Sequence, residues 1–248
     1  MTAVARIAGI ARSLAIYRGI PGRSARFRRF FGPLVRPGDL CFDIGAHVGN
    51  RSLCWAGLGA RVIAVEPQPD LARLLRQSFR GRPGITLVEA AIGAAPGTAT
   101  LHLSSRTPTV ASLSPGWIDT VSKTDGFASV RWDGRVEVPM TTLDALIVRF
   151  GRPAFCKIDV EGFEAEVLAG LSQPLPCLSF EYVPAALPAA LAALDRAQAL
   201  GHDRFQVSVG ETGRFLWPDW RAGHELRAWL LTQRPEDRSG DIYARAEG

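Results

Sequence analysis

Long apolar runs, paired cysteines and lysines are scarce in this chain of 248 residues. No apolar run approaches the ~20 residues that a transmembrane helix needs. The N-terminus is interrupted by Arg6 and Arg12 and lacks the apolar core of a signal peptide. The four cysteines form no C-x-x-C pair, and no His-rich spacing indicates zinc. We therefore predict a cytoplasmic protein with free thiols, no transmembrane segment and no zinc site.

The charge pattern also narrows the class of partner. The net charge is +5, and the positive residues are scattered except between Arg23 and Arg29. Basic and aromatic residues are not interleaved as they are in proteins that bind single-stranded nucleic acid, so no nucleic-acid partner is expected. Hydrophobic residues make up 47% of the chain and charged residues 21%, which is typical of a globular protein long enough to bury one substantial core.

The stretch from Cys41 to Asn50, CFDIGAHVGN, has the pattern of a strand, a glycine turn and the start of a helix. Such a turn leaves backbone N–H groups free at the helix N-terminus, where they can bind a ligand. Gly45 and Gly49 place no Cβ between the backbone and that ligand. Alternatively, the turn needs glycine only for its geometry.

A second strand, Arg61 to Val65, ends in Glu66 and Pro67 about 20 residues beyond the glycine turn. An acidic residue at this spacing commonly binds ribose hydroxyls, because a carboxylate can accept hydrogen bonds from both. The alternative is a solvated charge at a strand end.

The turn departs from the dinucleotide pattern G-x-G-x-x-G, because Ala46 and His47 follow Gly45. It also carries an internal carboxylate, Asp43, which is poorly placed against a pyrophosphate. A carboxylate suits a ligand with a cationic end, such as the amino group of S-adenosylmethionine. The pattern therefore favours a methyltransferase over a dehydrogenase.

Several stretches, in the same order, resemble the FkbM-type family of S-adenosylmethionine-dependent methyltransferases. They are FDIGAHVGN, VIAVEPQPD, ASL, VEVPMTTLDAL, CKIDVEGFEAEVLAGL and GDIYAR, and they cover roughly residues 35–245. The resemblance implies an α/β, class I Rossmann-like sheet of seven strands, mostly parallel with an antiparallel last strand, and helices on both faces. It also implies O-methylation of a sugar, polyketide or similar natural product. In related methyltransferases the end of the third strand meets the adenine, which carries Glu89 and Ala90 over as cofactor contacts.

The predicted organisation is a helical lead-in, residues 1–34, followed by one methyltransferase domain, residues 35–248. The lead-in either packs on the domain or associates with a membrane surface through its Arg and Phe residues. Alternating residues predict a β-hairpin-like insertion at about 97–140. Its polar segment, Ser104 to Asp133, is predicted to be a mobile loop facing the substrate, or else a disordered surface loop.

In an open parallel sheet, ligands bind beyond the carboxyl ends of the strands. Lys157, Asp159 and Glu161 are two residues apart on an extended segment, so their side chains share one side. Charges in a strand that should be apolar are costly unless paired or used in function. They are therefore predicted to serve the chemistry, the alternative being an ion pair that only ties the turn.

The predicted acceptor is a small molecule with a hydroxyl group, and the sequence determines neither its identity nor the oligomeric state. Alternative functions are N-methylation of a small molecule or protein and a cofactor-binding scaffold without turnover. Mg²⁺ is possible but not favoured. The candidate catalytic residues are Asp159, Glu161, Lys157, Glu181 and His47. The candidate cofactor-binding residues are Asp43, Gly45, Ala46, His47, Gly49, Asn50, Glu66, Pro67, Glu89 and Ala90.

Overall fold

A computed structural model describes residues 3–246. The first two residues of the predicted lead-in and the last two of the predicted domain lie outside this range. The strands are β1 Leu40–Ile44, β2 Arg61–Val65, β3 Ile85–Val88, β4 Ala91–Ile92, β5 Gly97–Leu103, β6 Gly134–Thr141, β7 Phe155–Ile158, β8 Cys177–Tyr182, β9 Arg204–Val209, β10 Arg221–Ala222 and β11 Gly240–Arg245. The helices are α1 Ala3–Arg18, α2 Arg23–Phe31, α3 Asn50–Gly57, α4 Pro69–Ser78, α5 Pro115–Val121, α6 Leu143–Phe150, α7 Glu164–Ala169, α8 Leu187–Ala199 and α9 Gly223–Leu230.

The central sheet has the strand order β10-β9-β11-β8-β7-β1-β2-β3. Strands β3, β2, β1, β7 and β8 pair in parallel, whereas β11 is antiparallel to both β8 and β9. The predicted mostly parallel sheet with an antiparallel last strand is therefore confirmed. Within the described range the sheet has an eighth strand, because the two-residue β10 pairs with the edge of β9.

The two faces of the sheet bury separate apolar clusters. In β1, Phe42 and Ile44 belong to one cluster and Cys41 to the other. This alternation follows from the two-residue period of a strand, and it requires helices on both faces. The central strands are buried almost throughout, as expected for parallel strands covered on both sides.

The insertion is a second, three-stranded sheet with the order β4-β6-β5. Strands β5 and β6 form the predicted antiparallel pair, from Gly97 opposite Met140 to Leu103 opposite Gly134. The segment between them is more ordered than a plain loop. Ser114 accepts a hydrogen bond at the N-cap of α5, and Trp117 is buried in a small apolar cluster. Whether this segment moves when substrate binds stays a prediction.

Candidate active site

Two adjoining cavities open at the carboxyl ends of the parallel strands. The first, here called the apolar cavity, has a volume of about 530 Å³. Its walls are mostly aliphatic and come from the ends of β1, β2 and β7, from the stretch after β3, and from the insertion. The lining residues are Ile44, Gly45, His47, Val65, Glu66, Pro67, Gln68, Ala90, Ala91, Ile92, Leu101, Thr109, Ala111, Leu113, Asp159, Val160 and Glu161.

The second, here called the acidic cavity, has a volume of about 690 Å³. It shares Gly45, His47, Thr109, Asp159 and Glu161 with the apolar cavity, so the two spaces meet at the ends of β1 and β7. The remaining lining residues are Tyr17, Arg51, Glu181, Gly210, Glu211, Ser239, Gly240 and Asp241.

The turn after β1 brings the two strand ends close together. Gly45 has φ +82°, and a Cβ at this position would lie 1.9 Å from the carbonyl oxygen of Asp159. No other residue type fits here without backbone movement. His47 and Glu161 are the two non-glycine residues between 3 and 246 with positive φ, and both line the two cavities. Such conformations are uncommon and tend to cluster at functional sites.

Glu66 is a buried carboxyl group in the wall of the apolar cavity. It is 2% exposed and accepts hydrogen bonds from the backbone N–H of His47 at 2.8 Å and of Gln68 at 2.9 Å. Burial raises its pKa to about 7, although both hydrogen bonds act in the opposite direction. Each carboxylate oxygen can accept a further hydrogen bond, so Glu66 can receive two hydroxyl donors.

Lys157 is fully buried and holds two carboxylates at the end of the sheet. Its Nζ lies 2.6 Å from Asp241 and 3.2 Å from Asp159. Burial alone would lower the pKa of Lys157, but the two carboxylates outweigh it and raise that pKa. Burial likewise tends to raise the pKa of Asp159, but Lys157 and Arg51 outweigh it and lower it. Asp159 is therefore ionised at neutral pH.

Arg51 extends this network across the acidic cavity. Its guanidinium lies 3.0 Å from Glu211, 3.6 Å from Asp159 and 3.8 Å from Asp241. Arg23 also pairs with Glu211. Three cations, Arg23, Arg51 and Lys157, thus form ion pairs with three carboxylates, those of Asp159, Glu211 and Asp241.

Glu161 and Glu181 are left without a cation. Within the described part of the chain, neither side chain takes part in an ion pair or a hydrogen bond, and Oε2 of Glu181 is buried without a partner. The pKa of each is raised well above its usual range by burial, then by neighbouring acids including Asp159. Oxygens of Asp159, Glu161 and Glu181 lie within 4.8 Å of one another. These carboxyls can share protons, accept hydrogen bonds from a ligand, or hold a cation.

The insertion fixes the turn that carries Glu161. Ser112 donates a hydrogen bond to the Glu161 carbonyl at 2.6 Å. The ring of Trp117 packs on Gly162, where a Cβ would lie 2.2 Å from the indole. From the other side, Glu164 accepts hydrogen bonds from the backbone of Val160 and Gly162.

The structure brings most of the predicted site residues together. Eight line at least one cavity: Glu181 lines the acidic cavity, and the apolar cavity is lined by Gly45, His47, Glu66, Pro67, Ala90, Asp159 and Glu161. Lys157 lies behind the acidic cavity and reaches it through Asp159 and Asp241.

Five predicted cofactor contacts do not line either cavity, and each has a physical reason. Asp43 is 1% exposed and accepts a hydrogen bond from Ser52, because the strand alternation turns it toward α3. Ala46 is buried in an apolar cluster. Gly49 is needed for packing, since a Cβ there would lie 2.8 Å from Leu75.

The other two are Asn50 and Glu89. Asn50 begins α3, and its Nδ2 is buried without a partner. Glu89 is exposed and paired with Arg76 through two hydrogen bonds, so its side chain lies at the surface and outside both cavities.

Sequence reasoning missed four residues of the acidic cavity. Tyr17 comes from α1, and burial raises its pKa to about 12. Arg51 follows the glycine turn directly, Glu211 follows β9, and Asp241 lies in the GDIYAR strand. Arg51 follows the FDIGAHVGN stretch and Asp241 lies in GDIYAR, so a charged residue in these positions could have been predicted to reach the site. Nothing in the local sequence marks Tyr17 or Glu211.

A mostly parallel Rossmann-like sheet with an antiparallel last strand and a crevice at its carboxyl end is the fold of class I methyltransferases. The profile of the methyltransferase FkbM domain family matches residues 43–234, and the chain belongs to that family. The family resemblance and the fold predicted from the sequence are thus both confirmed.

Individual relatives are more distant. The hexuronic acid methyltransferase AglP of Haloferax volcanii is 29% identical over 147 residues, which cover 58% of this chain and 55% of that protein. The chain thus aligns with about half the length of this curated relative. The solved structure of the methyltransferase FkbM from Methylobacillus flagellatus has a TM-score of 0.50 and 14% identity, covering 95% of this chain and 58% of that one. An O-methyltransferase from Bacillus cereus, solved with SAH, has a TM-score of 0.48 and 12% identity, covering 98% of this chain and 89% of that one.

None of the helices described between residues 3 and 246 is long and apolar enough to cross a membrane.

Proposed function

We propose that this methyltransferase uses S-adenosylmethionine to methylate a hydroxyl group of a carbohydrate-like small molecule. The observation that carries the proposal is the pairing of the two cavities. One is mostly aliphatic, and Glu66, the carboxyl group that it does not share with its neighbour, can accept from two hydroxyl donors; the other is lined by five carboxyl groups that can accept hydrogen bonds. The name of the Haloferax volcanii relative, a hexuronic acid methyltransferase, supports a sugar acceptor.

The residues of the apolar cavity fit the proposed cofactor. Glu66 would accept hydrogen bonds from the ribose, and the wall formed by Ala90, Ile92 and Leu113 would cover the adenine. The ionised Asp159, at the junction of the cavities, would face the positive charge of the cofactor. When bound, the cofactor supplies a methyl group that is already activated by its sulfonium.

The residues of the acidic cavity then orient the acceptor and remove its proton. Glu161 is the strongest candidate for the base. It lines both cavities and its side chain has no ion-pair or hydrogen-bond partner in the described chain, so it is free to accept the proton of a hydroxyl placed where the cavities meet. His47 is a weaker candidate, because burial lowers its pKa to about 4. Lys157 and Arg51 act as positioning residues that keep Asp159 ionised.

The charge of the acidic cavity favours a neutral acceptor over an anionic one. Five carboxyl groups line it, and its guanidinium, Arg51, is already shared among Asp159, Glu211 and Asp241. Sugar hydroxyls can donate to Glu161 and Glu181, whose side chains have no partner in the described chain. A carboxylate on the acceptor would instead be repelled by the carboxylates that line the cavity.

The reaction is proposed to need no Mg²⁺, although Asp159, Glu161 and Glu181 are spaced closely enough to hold a divalent cation. Asp159 is already paired with Lys157 and Arg51, and these two cations beside the cluster oppose the binding of a third. Undiminished turnover in EDTA is expected. Loss of turnover in EDTA and its recovery on adding Mg²⁺ would reassign these carboxylates as metal ligands.

Mass spectrometry of acceptors incubated with the protein and S-adenosylmethionine tests the proposal. The panel should contain neutral sugars, uronic acids and amines of similar size. We expect a gain of one CH₂ on a hydroxyl of a neutral sugar. Transfer to amines alone would contradict O-methylation, and transfer to uronic acids alone would contradict the preference for a neutral acceptor.

A further inference from the structure

Helix α1 buries polar side chains and exposes a strip of apolar ones, while the apolar Ile10 and Leu14 beside the strip are half-buried. The inner face consists of Arg6, Gly9, Ser13 and Tyr17, of which Arg6 and Ser13 are 5% and 4% exposed. The outer face, here called the α1 outer face, consists of Val4, Ile7, Ala8, Ala11 and Ala15, all exposed. Surface helices of globular proteins normally show the opposite arrangement.

The inner face is held by specific contacts, so α1 cannot rotate to bury its apolar side. Arg6 pairs with Asp70, and its guanidinium also donates to the Gln68 amide and to the Ser104 carbonyl. Gly9 lies against the insertion, where a Cβ would be 2.7 Å from the carbonyl oxygen of Ser105.

The α1 outer face and the residues just beyond it therefore expose several large apolar side chains to solvent. Val4 is 78% exposed and Ile7 67%, and just beyond the α1 outer face Ile16 is 40% and Ile20 50% exposed. Single exposed apolar residues are ordinary, but several in one strip mark an interaction surface.

The charge of the N-terminal segment that carries this strip indicates the kind of partner. Residues 1–38 contain eight arginines and no acidic residue, whereas the whole chain has a net charge of only +5. Five of these arginines are exposed, namely Arg12 on α1 itself and Arg26, Arg28, Arg29 and Arg36 further along the segment. A second copy of the chain would bring like charges together, which opposes self-association. A partner surface that is anionic and partly apolar would complement both the exposed arginines and the apolar strip.

We propose that the α1 outer face is an interfacial membrane-binding surface that docks on anionic lipid. Val4 and Ile7 insert at the boundary between head groups and acyl chains, and Arg12 contacts anionic head groups. Because Tyr17 on the inner face lines the acidic cavity, docking places that cavity about one helix diameter, roughly 10 Å, from the bilayer surface.

Flotation of the full chain with vesicles tests the proposal. We expect binding to vesicles of phosphatidylglycerol and phosphatidylcholine at low salt, weaker binding at high salt, and little binding to phosphatidylcholine alone. Val4→Ser and Ile7→Ser should each weaken partitioning by about tenfold or more. Arg12→Gln should weaken it by roughly fivefold, the effect of one basic residue near an anionic surface.

Matched controls come from exposed residues elsewhere in the chain. Val148 is 89% exposed and Leu231 62%, and Val148→Ser and Leu231→Ser should leave partitioning unchanged. Arg73→Gln, at an exposed position on α4, is the control for charge. Thermal melting should show that every variant is folded.

Three results would overturn the proposal. One is failure of the folded wild-type chain to bind anionic vesicles at low salt. Another is that Val148→Ser and Ile7→Ser weaken vesicle binding equally. The third is a concentration-dependent dimer, seen by light scattering, that Ile7→Ser dissociates, because a second copy would then cover the strip.

Discussion

The apolar and acidic cavities share five lining residues but differ in the chemistry of their remaining walls. The walls of the apolar cavity come mainly from consecutive strand ends and carry one additional ionisable group, Glu66. The acidic cavity adds Tyr17, Arg51, Glu181, Glu211 and Asp241, drawn from distant parts of the chain. The difference suggests that the apolar cavity recognises a fixed cofactor, whereas the acidic cavity is where acceptor specificity is set.

The largest effect is expected from Glu161→Gln. Glu161 has no ion pair among the described residues, so the amide should keep the fold and the cofactor affinity. If Glu161 removes the proton of the acceptor, turnover should fall by about 10²–10⁴-fold. Steady-state kinetics, melting temperature and binding of S-adenosylhomocysteine should be measured on the same preparation. A lower melting temperature with nearly intact turnover would show that Glu161 only ties its turn.

The second effect concerns the stability of the acidic cavity. Lys157→Met should lower the free energy of unfolding by about 3–5 kcal/mol, because it leaves Asp241 and Asp159 without their buried partner. Lys123, the other lysine, is exposed and paired with exposed Asp119, so Lys123→Met should have little effect. Denaturant unfolding measures both. Equal losses of unfolding free energy in the two lysine variants would contradict a stabilising role for the buried network.

The third effect separates two acidic residues that sequence reasoning treated alike. Glu66→Ala should weaken cofactor binding by roughly 1–3 kcal/mol, since ribose hydroxyls would lose their acceptor. Glu89→Ala should leave binding unchanged, because Glu89 pairs with Arg76 at the surface. Isothermal titration calorimetry with S-adenosylhomocysteine distinguishes them. A larger loss for Glu89→Ala would mean that the adenine lies beyond the end of β3.

The smallest effect is a pH dependence of cofactor binding. Glu66 has a pKa of about 7 without ligand, and ribose donors favour its ionised form, so binding releases a proton when Glu66 is protonated. Affinity should therefore be full above about pH 7 and fall by up to about tenfold per pH unit below it. Titrations at several pH values should show this slope in the wild type. The same slope in Glu66→Gln would assign it to another group.

The two cavities also differ in how far the sequence predicted them. Gly45, Glu66 and Ala90 line the apolar cavity because each follows a strand whose pattern is clear in the sequence, and parallel strands end at the same edge of a sheet. Asp43 lies outside both cavities, because the alternation along β1 turns its side chain toward Ser52 of α3, and its contact with the cofactor stays a prediction. Glu89 also lies outside both cavities, because a residue at a strand end can turn toward solvent, where Glu89 pairs with Arg76.

Most of the acidic cavity was beyond prediction because its residues meet only through tertiary packing. Tyr17 depends on how α1 docks, and that docking rests on Arg6 reaching Asp70 and Gln68, which lie more than 60 positions away. The same packing produced the exposed α1 outer face. The apolar repeat of α1 was visible in the sequence, but which face would be buried was not.

The central claim is that the apolar cavity binds the sulfur nucleoside of a methyltransferase, and calorimetric titration of the wild-type chain tests it most directly. S-adenosylmethionine and S-adenosylhomocysteine should each bind at one site, and NAD should bind far more weakly or not at all. Binding of either sulfur nucleoside should raise the melting temperature by mass action. Tight binding and stabilisation by NAD, with neither sulfur nucleoside having an effect, would contradict the claim.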